Sequence, residues 1–582
     1  MKAIRWDLSL IAGIVLTILA ALMSVTIPLF LKTMIDGGGH FSLKNIFILL
    51  LLFVLQAALA GLGGFLAALN GEKTVESLRS RLNAHLIYLP QSFFDQQESG
   101  EFVSRIMTDS QEIREFVTQS LPNFILGIFT IVFSVIALIR LDWKLSLAMV
   151  ITFPVMLSLL IPISKLSFAN AEKFQTSNSR LTSKLITIYK NMAFIKLLTA
   201  EDQVSHDFDQ ANQENFSLAV QKKKIEAFTQ PVGLAFLFAA ITIVFAYGGY
   251  RVSSGAITVG TLMSFLVFTL QLLNPMGGLS DQISSYFRMK GASAKLFSFF
   301  EMAKEDVGGD QAFQAGDILI KDVSFAYQDK EIITGLDLVI PRGCRLAIVG
   351  PSGSGKSTLT RLLMRLYQPQ KGQISINGQE INRIDLYQWR NAISYIAQGS
   401  FFISGSLRDN LLFGLKSKPT DQKIHQVLQQ VGLSEDLARM DQGLDTPVGE
   451  DGNLLSGGQK QRLSIARALL REHSIIIFDE ATSNLDSFSE KIIQDLIFNK
   501  IKDKTVIIIA HRISTIINCD RICVLKNGEI KEIGTHKELI KNRREYFNMV
   551  KIQHHLILDE SANYKSNKKN LEEKDDEIIT YE

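Results

Sequence analysis

RLAIVGPSGSGKSTLTRLL, residues 345–363, is an apolar run, a glycine-rich loop and the first turns of a helical pattern. The spacing G-x-x-x-x-G-K-[ST] falls on Gly350, Gly355, Lys356 and Ser357. Each residue type answers a demand of phosphate chemistry. Glycines let the loop's N–H groups wrap phosphate oxygens, Lys356 adds a point charge, and the Ser357 hydroxyl can ligate Mg²⁺. Strand, loop and helix in this order predict a nucleotide site at the end of a parallel sheet.

A second strand supplies the acids. In SIIIFDEATSNLD (474–486), Ile475, Ile476, Ile477 and Phe478 form a run apolar enough to be buried on both faces, ending at Asp479 and Glu480. A carboxylate at that strand end can hold a Mg²⁺ shell, and the next one lies where a water could be oriented or deprotonated. Two adjacent acids could also simply begin a solvated loop. A further stretch, LSGGQKQRLSIARALL (455–470), opens a helix at Ser456, Gly457 and Gly458. Its N-terminus offers free N–H groups and a positive dipole end to an anion, though it holds no acid, base or nucleophile. A chain that already has one phosphate cradle therefore carries a second.

Upstream the composition changes. The 582 residues are 47% hydrophobic and 20% charged, but residues 8–280 hold long apolar runs broken by basic stretches. Spans are expected at about 8–31, 46–70, 120–140, 143–165, 230–251 and 259–280, each near the ~20 residues a hydrocarbon core requires. The first starts like a signal peptide, yet its apolar run continues through Leu31 with no A-x-A-like cleavage site, so it reads as a retained span. The long links 71–119 and 166–229 are polar, helical in pattern and rich in Lys and Arg, whereas 32–45, 142–143 and 252–258 are short. Positive charge places both long links in the cytosol, and six spans return the chain there for its second half. Gln56, Gln271 and Asn274 within the spans fit helix–helix hydrogen bonding or cargo contact. Phe236, Phe238, Phe245, Phe265 and Phe268 fit lipid-facing surface or an aromatic pocket.

The net charge of +3 and the absence of an arginine-rich tract argue against nucleic acid as a partner. Cys344, Cys519 and Cys523 lack metal-site spacing and read as buried thiols in a reducing compartment. Residues 553–582 are charged and low in aromatics, a composition that predicts disorder.

Taken together, the glycine loop, LSGGQ and FDE resemble the ATP-binding cassette (ABC) exporters of half-transporter type, over about residues 8–550. The resemblance implies a membrane α-helical bundle, six spans with long cytosolic helical extensions, plus an α/β P-loop ABC nucleotide-binding domain. The membrane domain would cover 8–293, a linker 294–316, and the nucleotide-binding domain 317–552. By resemblance, ATP is held by Tyr327 against its adenine and by Gly350, Pro351, Ser352, Gly353, Ser354, Gly355, Lys356, Ser357, Thr358 and Gln398. Mg²⁺ would take Ser357, Gln398 and Asp479, with Glu480 and His511 catalytic. Ser456, Gly457, Gly458, Gln459 and Asp486 would contact ATP held by a second half-transporter. All of these types are present in one chain, so a homodimer would be self-sufficient. Segments 93–101 and 199–203 resemble the loops that couple the two halves. In VGEDGNLLSGGQ, Asp451 stands where the family usually has Arg, which puts in doubt any contact that arginine makes.

The function so implied is ATP-driven export of hydrophobic or amphipathic compounds of the multidrug type. Such a protein sits in the cytoplasmic membrane with the nucleotide domain and both termini in the cytosol. Export of bacteriocins or other peptides, and lipid flipping, use the same machinery and stay open. ABC ATPases that act on ribosomes or DNA lack spans, and an ATP-gated channel would not need an intact Glu480.

Overall fold

The computed structural model describes residues 7–37, 42–96, 99–309, 311–399, 401–480, 487–501, 503–510 and 512–552. The tail 553–582, Asp486 and His511 lie outside them. Two compact units form: Met1–Ile87 with Glu98–Ala303, and Tyr88–Gln97 with Lys304–Glu582.

The first unit is all helix. Its elements are α1 (Leu8–Asp36), α2 (Leu43–Leu86), α4 (Ser99–Glu115), α5 (Leu121–Leu141), α6 (Trp143–Lys190), α7 (Met192–Leu197), α8 (Glu201–Ser253) and α9 (Val259–Glu301). The short α3 (Gln91–Gln96) belongs to the second unit. Among the described residues, Leu8–Asp36, Leu43–Leu86 and Arg105–Leu141 are long and apolar enough to cross a membrane, and Val259–Leu272 is a shorter apolar helix. A helix of 29 residues such as α1 spans about 44 Å at 1.5 Å per residue, more than a hydrocarbon core. Helix α2 carries Phe47, Leu50, Leu51, Phe53 and Val54 outward. An exposed apolar face of that extent is stable against lipid, not water.

Small residues and single polar links set the helix contacts. A Cβ on Gly63 would lie 2.9 Å from the Gly13 carbonyl oxygen and 2.7 Å from Thr17 Oγ1, so α1 and α2 cross backbone to backbone. Between α1 and α9, Asp36 accepts from the Gly260 N–H at 3.0 Å and from the Thr258 hydroxyl at 2.7 Å, and Ser264 Oγ donates to the Pro28 carbonyl at 2.7 Å. Asp142 alone turns α5 into α6: it caps α6 by accepting from Leu145 N at 2.7 Å and pairs with Arg251 of α8. Phe265 and Phe268 are fully buried with Leu145 and Val244, while Phe238 and Phe245 are exposed. Of the two sequence readings, lipid-facing surface therefore fails for Phe265 and Phe268, because their face of α9 packs inside the bundle. Helix α9 continues through Glu301, so 294–301 prolongs a helix.

The second unit is built on two sheets. One is antiparallel, in the order β2 (Lys330–Ile340), β1 (Ile318–Tyr327), β4 (Lys371–Ile376), β5 (Gln379–Glu380). The other runs β10 (Glu529–Gly534), β9 (Arg521–Lys526), β3 (Arg345–Val349), β8 (Thr505–Ile509), β7 (Ile475–Asp479), β6 (Ile393–Ile396). In it β9, β3, β8, β7 and β6 are mutually parallel and β10 is antiparallel. Strands β7 and β8 are buried along their whole length, which is why they read as unbroken apolar runs. The helices are α10 (Lys356–Leu363), α11 (Leu386–Asn391), α12 (Leu407–Leu412), α13 (Asp421–Gln430), α14 (Ser434–Ala438) and α15 (Gly457–Leu469), with further helices after β7.

Candidate nucleotide site

Register brings the motifs to one edge of the larger sheet. Ile509 of β8 pairs with Ile348 of β3 on one side and with Asp479 of β7 on the other. The glycine loop that leaves β3 at Gly350 and the carboxylates that end β7 thus emerge level, at the carboxyl ends of parallel strands. Open α/β sheets place ligands at that edge.

The loop is shaped by glycines that nothing else could replace. A Cβ on Gly350 would stand 2.0 Å from the Leu525 carbonyl oxygen. Gly353 (φ 80°) and Gly355 (φ 103°) take left-handed conformations, and Gly355 serves as the N-cap of α10. Pro351, Ser352 and Ser357 are exposed; Ser354, Lys356 and Thr358 are buried. The Lys356 ammonium donates to the loop's own carbonyls, Gly350 at 2.9 Å and Pro351 at 3.0 Å. Burial pushes its pKa down, while the charges of Glu480 and Asp479 oppose that shift. Ser354 Oγ is buried without a hydrogen-bond partner among the described residues. A buried lysine whose hydrogen bonds among the described residues go to its own loop, beside a hydroxyl without a partner there, fits a cradle completed by an anion.

Opposite lie the acids. Asp479 is buried and accepts from the Tyr395 hydroxyl at 2.8 Å. Burial pushes its carboxyl pKa up and the charge of Glu480 adds to this, against the Tyr395 hydrogen bond, Arg361 and Lys356. Glu480 has φ 52°, a conformation that costs a non-glycine residue of order 1 kcal/mol and that often marks a functional position. Its N–H donates to the Ile509 carbonyl at 2.9 Å, and its Oε2 accepts from Gln398 Nε2 at 2.7 Å. With its nitrogen committed to Glu480, Gln398 keeps its amide oxygen for another partner. Ser357, Gln398 and Asp479 each offer an oxygen donor, the kind a hard divalent cation such as Mg²⁺ selects.

Tyr327 closes β1. Its hydroxyl accepts from Arg361 Nη1 at 3.2 Å, and its ring meets Tyr367 and Phe325 edge-on at 5.1 and 4.9 Å. Sequence reasoning missed Arg361, Tyr367 and Tyr395. Tyr395 stood three residues before Gln398 on the strand that pairs with β7, a position worth testing for a side chain aimed at the acids.

The second cradle is separate. Ser456 Oγ accepts from Gln459 N at 3.3 Å while Ser456 N donates to Gln459 Oε1 at 2.9 Å, a reciprocal capping box. Gln459 Nε2 donates to Asp436 Oδ1 at 2.8 Å, and Arg462 braces the other oxygen of Asp436 at 3.1 Å. Two first-turn donors are thereby satisfied; those of Gly457 and Gly458 have no partner among the described residues. A Cβ on either glycine would meet nothing within 4 Å. Just upstream, Asp451 is exposed in a left-handed turn (φ 48°), and Lys460 Nζ donates to its carbonyl at 3.1 Å.

Comparison with known proteins agrees with this geometry. The ABC transporter transmembrane region matches residues 9–276 and the ABC transporter domain matches residues 333–483. A multidrug resistance ABC transporter ATP-binding and permease protein of Lactococcus lactis subsp. lactis (strain IL1403) is 30% identical over 93% of each chain. An ATP-dependent lipid A-core flippase of Syntrophus aciditrophicus (strain SB) is 30% identical over 87% of this chain and 84% of its own. Among solved structures, a bacterial Atm1-family ABC exporter with ATP bound superposes with a TM-score of 0.79 at 26% identity, covering 94% of this chain and 99% of that one. The chain belongs to the ABC transporter family: it is an exporter in which a helical transmembrane region and a nucleotide-binding ATPase cassette are fused in one polypeptide.

Proposed function

We propose that the protein exports hydrophobic or amphipathic compounds of the multidrug type from the cytosol or inner leaflet, by alternating access in a dimer. The observation that carries the dimer is the pair Gly457 and Gly458. Neither the fold of this chain nor backbone conformation calls for glycine there, and the bare N–H groups are open to something that approaches from outside. The γ-phosphate of an ATP bound to a second copy fits that description. A homodimer then forms two composite sites, each with one P-loop and the other subunit's Ser456, Gly457, Gly458 and Gln459; Asp486 is assigned with them by resemblance. The exposed Tyr189, Phe194, Leu197 and Leu198 around α7 also favour a covering partner. Lipid flipping is the second reading, favoured by similarity to lipid A-core flippases.

At the site, Tyr327 stacks on adenine and residues 350–358 hold the phosphates. Ser357, Asp479 and Gln398 would hold Mg²⁺, whose bound charge offsets that of the phosphates. Glu480 takes the proton from the water that attacks the γ-phosphorus; the β–γ bridging oxygen leaves with its electron pair, giving ADP and phosphate. His511 is assigned to the γ-phosphate by resemblance alone. Moving a two-state membrane domain from 1:99 to 99:1 requires about 5.5 kcal/mol of differential binding, which closure of two cassettes on ATP can provide. Six spans, the cytoplasmic membrane and a cytosolic cassette complete the reading, supported by the basic long links. The test is the protein reconstituted in liposomes with dyes, lipids and peptides as candidate cargo. Cargo-stimulated ATPase activity is expected, with Glu480→Gln keeping ATP binding and losing about 10²–10⁴-fold in turnover. Full turnover in that variant removes Glu480 from the role.

A further inference from the structure

The segment Tyr88–Gln97 lies in sequence between two helices of the membrane unit, yet it folds with the cassette. Its start is pinned there: the Glu305 N–H donates to the Tyr88 carbonyl at 2.7 Å, and the Lys304 ammonium lies 5.5 Å from the Tyr88 ring centroid. Its end is pinned by one carboxylate. Asp95 Oδ1 accepts from Gln91 Nε2 within α3 at 2.8 Å, Oδ2 accepts from the Tyr367 hydroxyl at 2.5 Å, and Arg361 Nη1 stands 3.8 Å from that same Oδ2. That guanidinium nitrogen is also the one that donates to the Tyr327 hydroxyl, and the Tyr367 ring meets the Tyr327 ring edge-on. Asp95 therefore reaches Tyr327 twice, through a guanidinium and through a ring.

We propose that Asp95 is a positioning residue for the nucleobase: it holds Arg361 and Tyr367, and these fix the Tyr327 ring in the plane that stacks on adenine. This rests on the reading of Tyr327 given above. The phosphate cradle is a separate set of atoms, so the device adjusts grip on the base and leaves grip on the phosphates alone. Because Asp95 sits between α2 and α4, displacement of those helices would loosen the base. By linkage, a bound base biases the position of the segment equally.

The ion pair is partly exposed, with side-chain exposures of 45% for Arg361 and 35% for Asp95, so solvent screens it and the effect is modest. In the full-length protein, Asp95→Asn is expected to raise KM for ATP about three- to five-fold with kcat little changed. Inorganic tripolyphosphate, which has no base, should inhibit variant and parent at the same concentration. In a Tyr327→Ala background, Asp95→Asn should add nothing. An unchanged KM, a loss confined to kcat, an equal weakening of tripolyphosphate, or an additive effect in the Tyr327→Ala background would each overturn the proposal. Failure of the underlying reading looks different: Tyr327→Ala would then weaken ATP no more than tripolyphosphate.

Discussion

Gly350 and Gly458 each sit where a loop feeds a helix, and the chain treats them differently. At Gly350 a side chain would strike the Leu525 carbonyl at 2.0 Å, so the fold itself excludes one. At Gly458 a side chain would enter open space, and the backbone there is one that any residue adopts. The two cradles differ in charge as well. The first brings Lys356 onto its own loop; the second offers dipole and N–H groups, with its nearby cations Lys460 and Arg462 bonded to Asp451, Gly432 and Asp436. A cradle with its own cation adds a full charge to its N–H groups, whereas the second draws an anion by dipole and N–H groups alone. The proposed dimer gives this contrast a reason: one cradle would hold this subunit's nucleotide and the other would meet its partner's.

That contrast can be broken directly. Gly350→Ala should cost the cassette on the order of 3 kcal/mol or more, since a carbonyl in a sheet cannot retreat from a Cβ at that distance. Gly458→Val should change stability by no more than about 0.5 kcal/mol, yet it should lower ATPase activity on the order of 10²-fold by keeping the partner's phosphate from the N–H groups. Thermal unfolding and steady-state turnover of both variants decide it. If Gly458→Val melts as early as Gly350→Ala, the second cradle belongs to the fold of its own chain and the argument for a partner fails.

Both cradles were legible in the sequence because each is local: the glycines and the helix they open lie within about twenty residues, with an apolar strand just before the first. The short link at 142–143 was legible for the same reason, although Trp143 already opens α6 and Asp142 alone makes the turn. What stayed hidden is what long-range packing decides. Asp95 and Tyr367 are 272 residues apart, and neither sits in a motif that names the other. Helix α2 runs on to Leu86 because the polar stretch after residue 70 keeps helical spacing, as its sequence pattern implied; hydropathy alone marks the span and not where the extension ends. Phe265 and Phe268 show a further limit. Hydropathy cannot tell a residue that faces lipid from one packed inside the bundle, since both environments are apolar. Two assigned residues, Asp486 and His511, fall outside the described residues and rest on resemblance alone.

A smaller change sharpens the charge side of the contrast. Ser456 serves two ends: it caps α15 through its hydroxyl, and it stands at the proposed anion site. Ser456→Ala removes the cap and should cost about 1 kcal/mol. Ser456→Asp keeps a capping oxygen and improves the interaction with the helix dipole, so stability should hold. It also sets a carboxylate where the partner's γ-phosphate would come, and ATPase activity should fall about ten-fold or more. The two variants should therefore rank in opposite orders by melting temperature and by turnover. The same order in both measurements would mean that the helix cap alone explains Ser456.

The smallest expected effect tests how the acid strand is supported. His473 is buried just before β7, where Lys504 Nζ donates to its carbonyl at 2.8 Å. Burial, with the charge of Lys504 adding to it, pushes the imidazole pKa down to about 4, below the roughly 6.5 of an unfolded chain. Above about pH 6.5 the ring is neutral in both states and stability is full. As pH falls from there toward 4 the unfolded chain takes up the proton first, so the folded state loses ground through that window. Melting curves at about pH 7.5 and about pH 5 should therefore fall further apart for the parent than for His473→Asn, by a few degrees. If the two proteins shift equally, His473 keeps its proton equilibrium on folding, and the acid sensitivity of the cassette must be sought in its carboxylates, with Asp479 least involved because its pKa is raised.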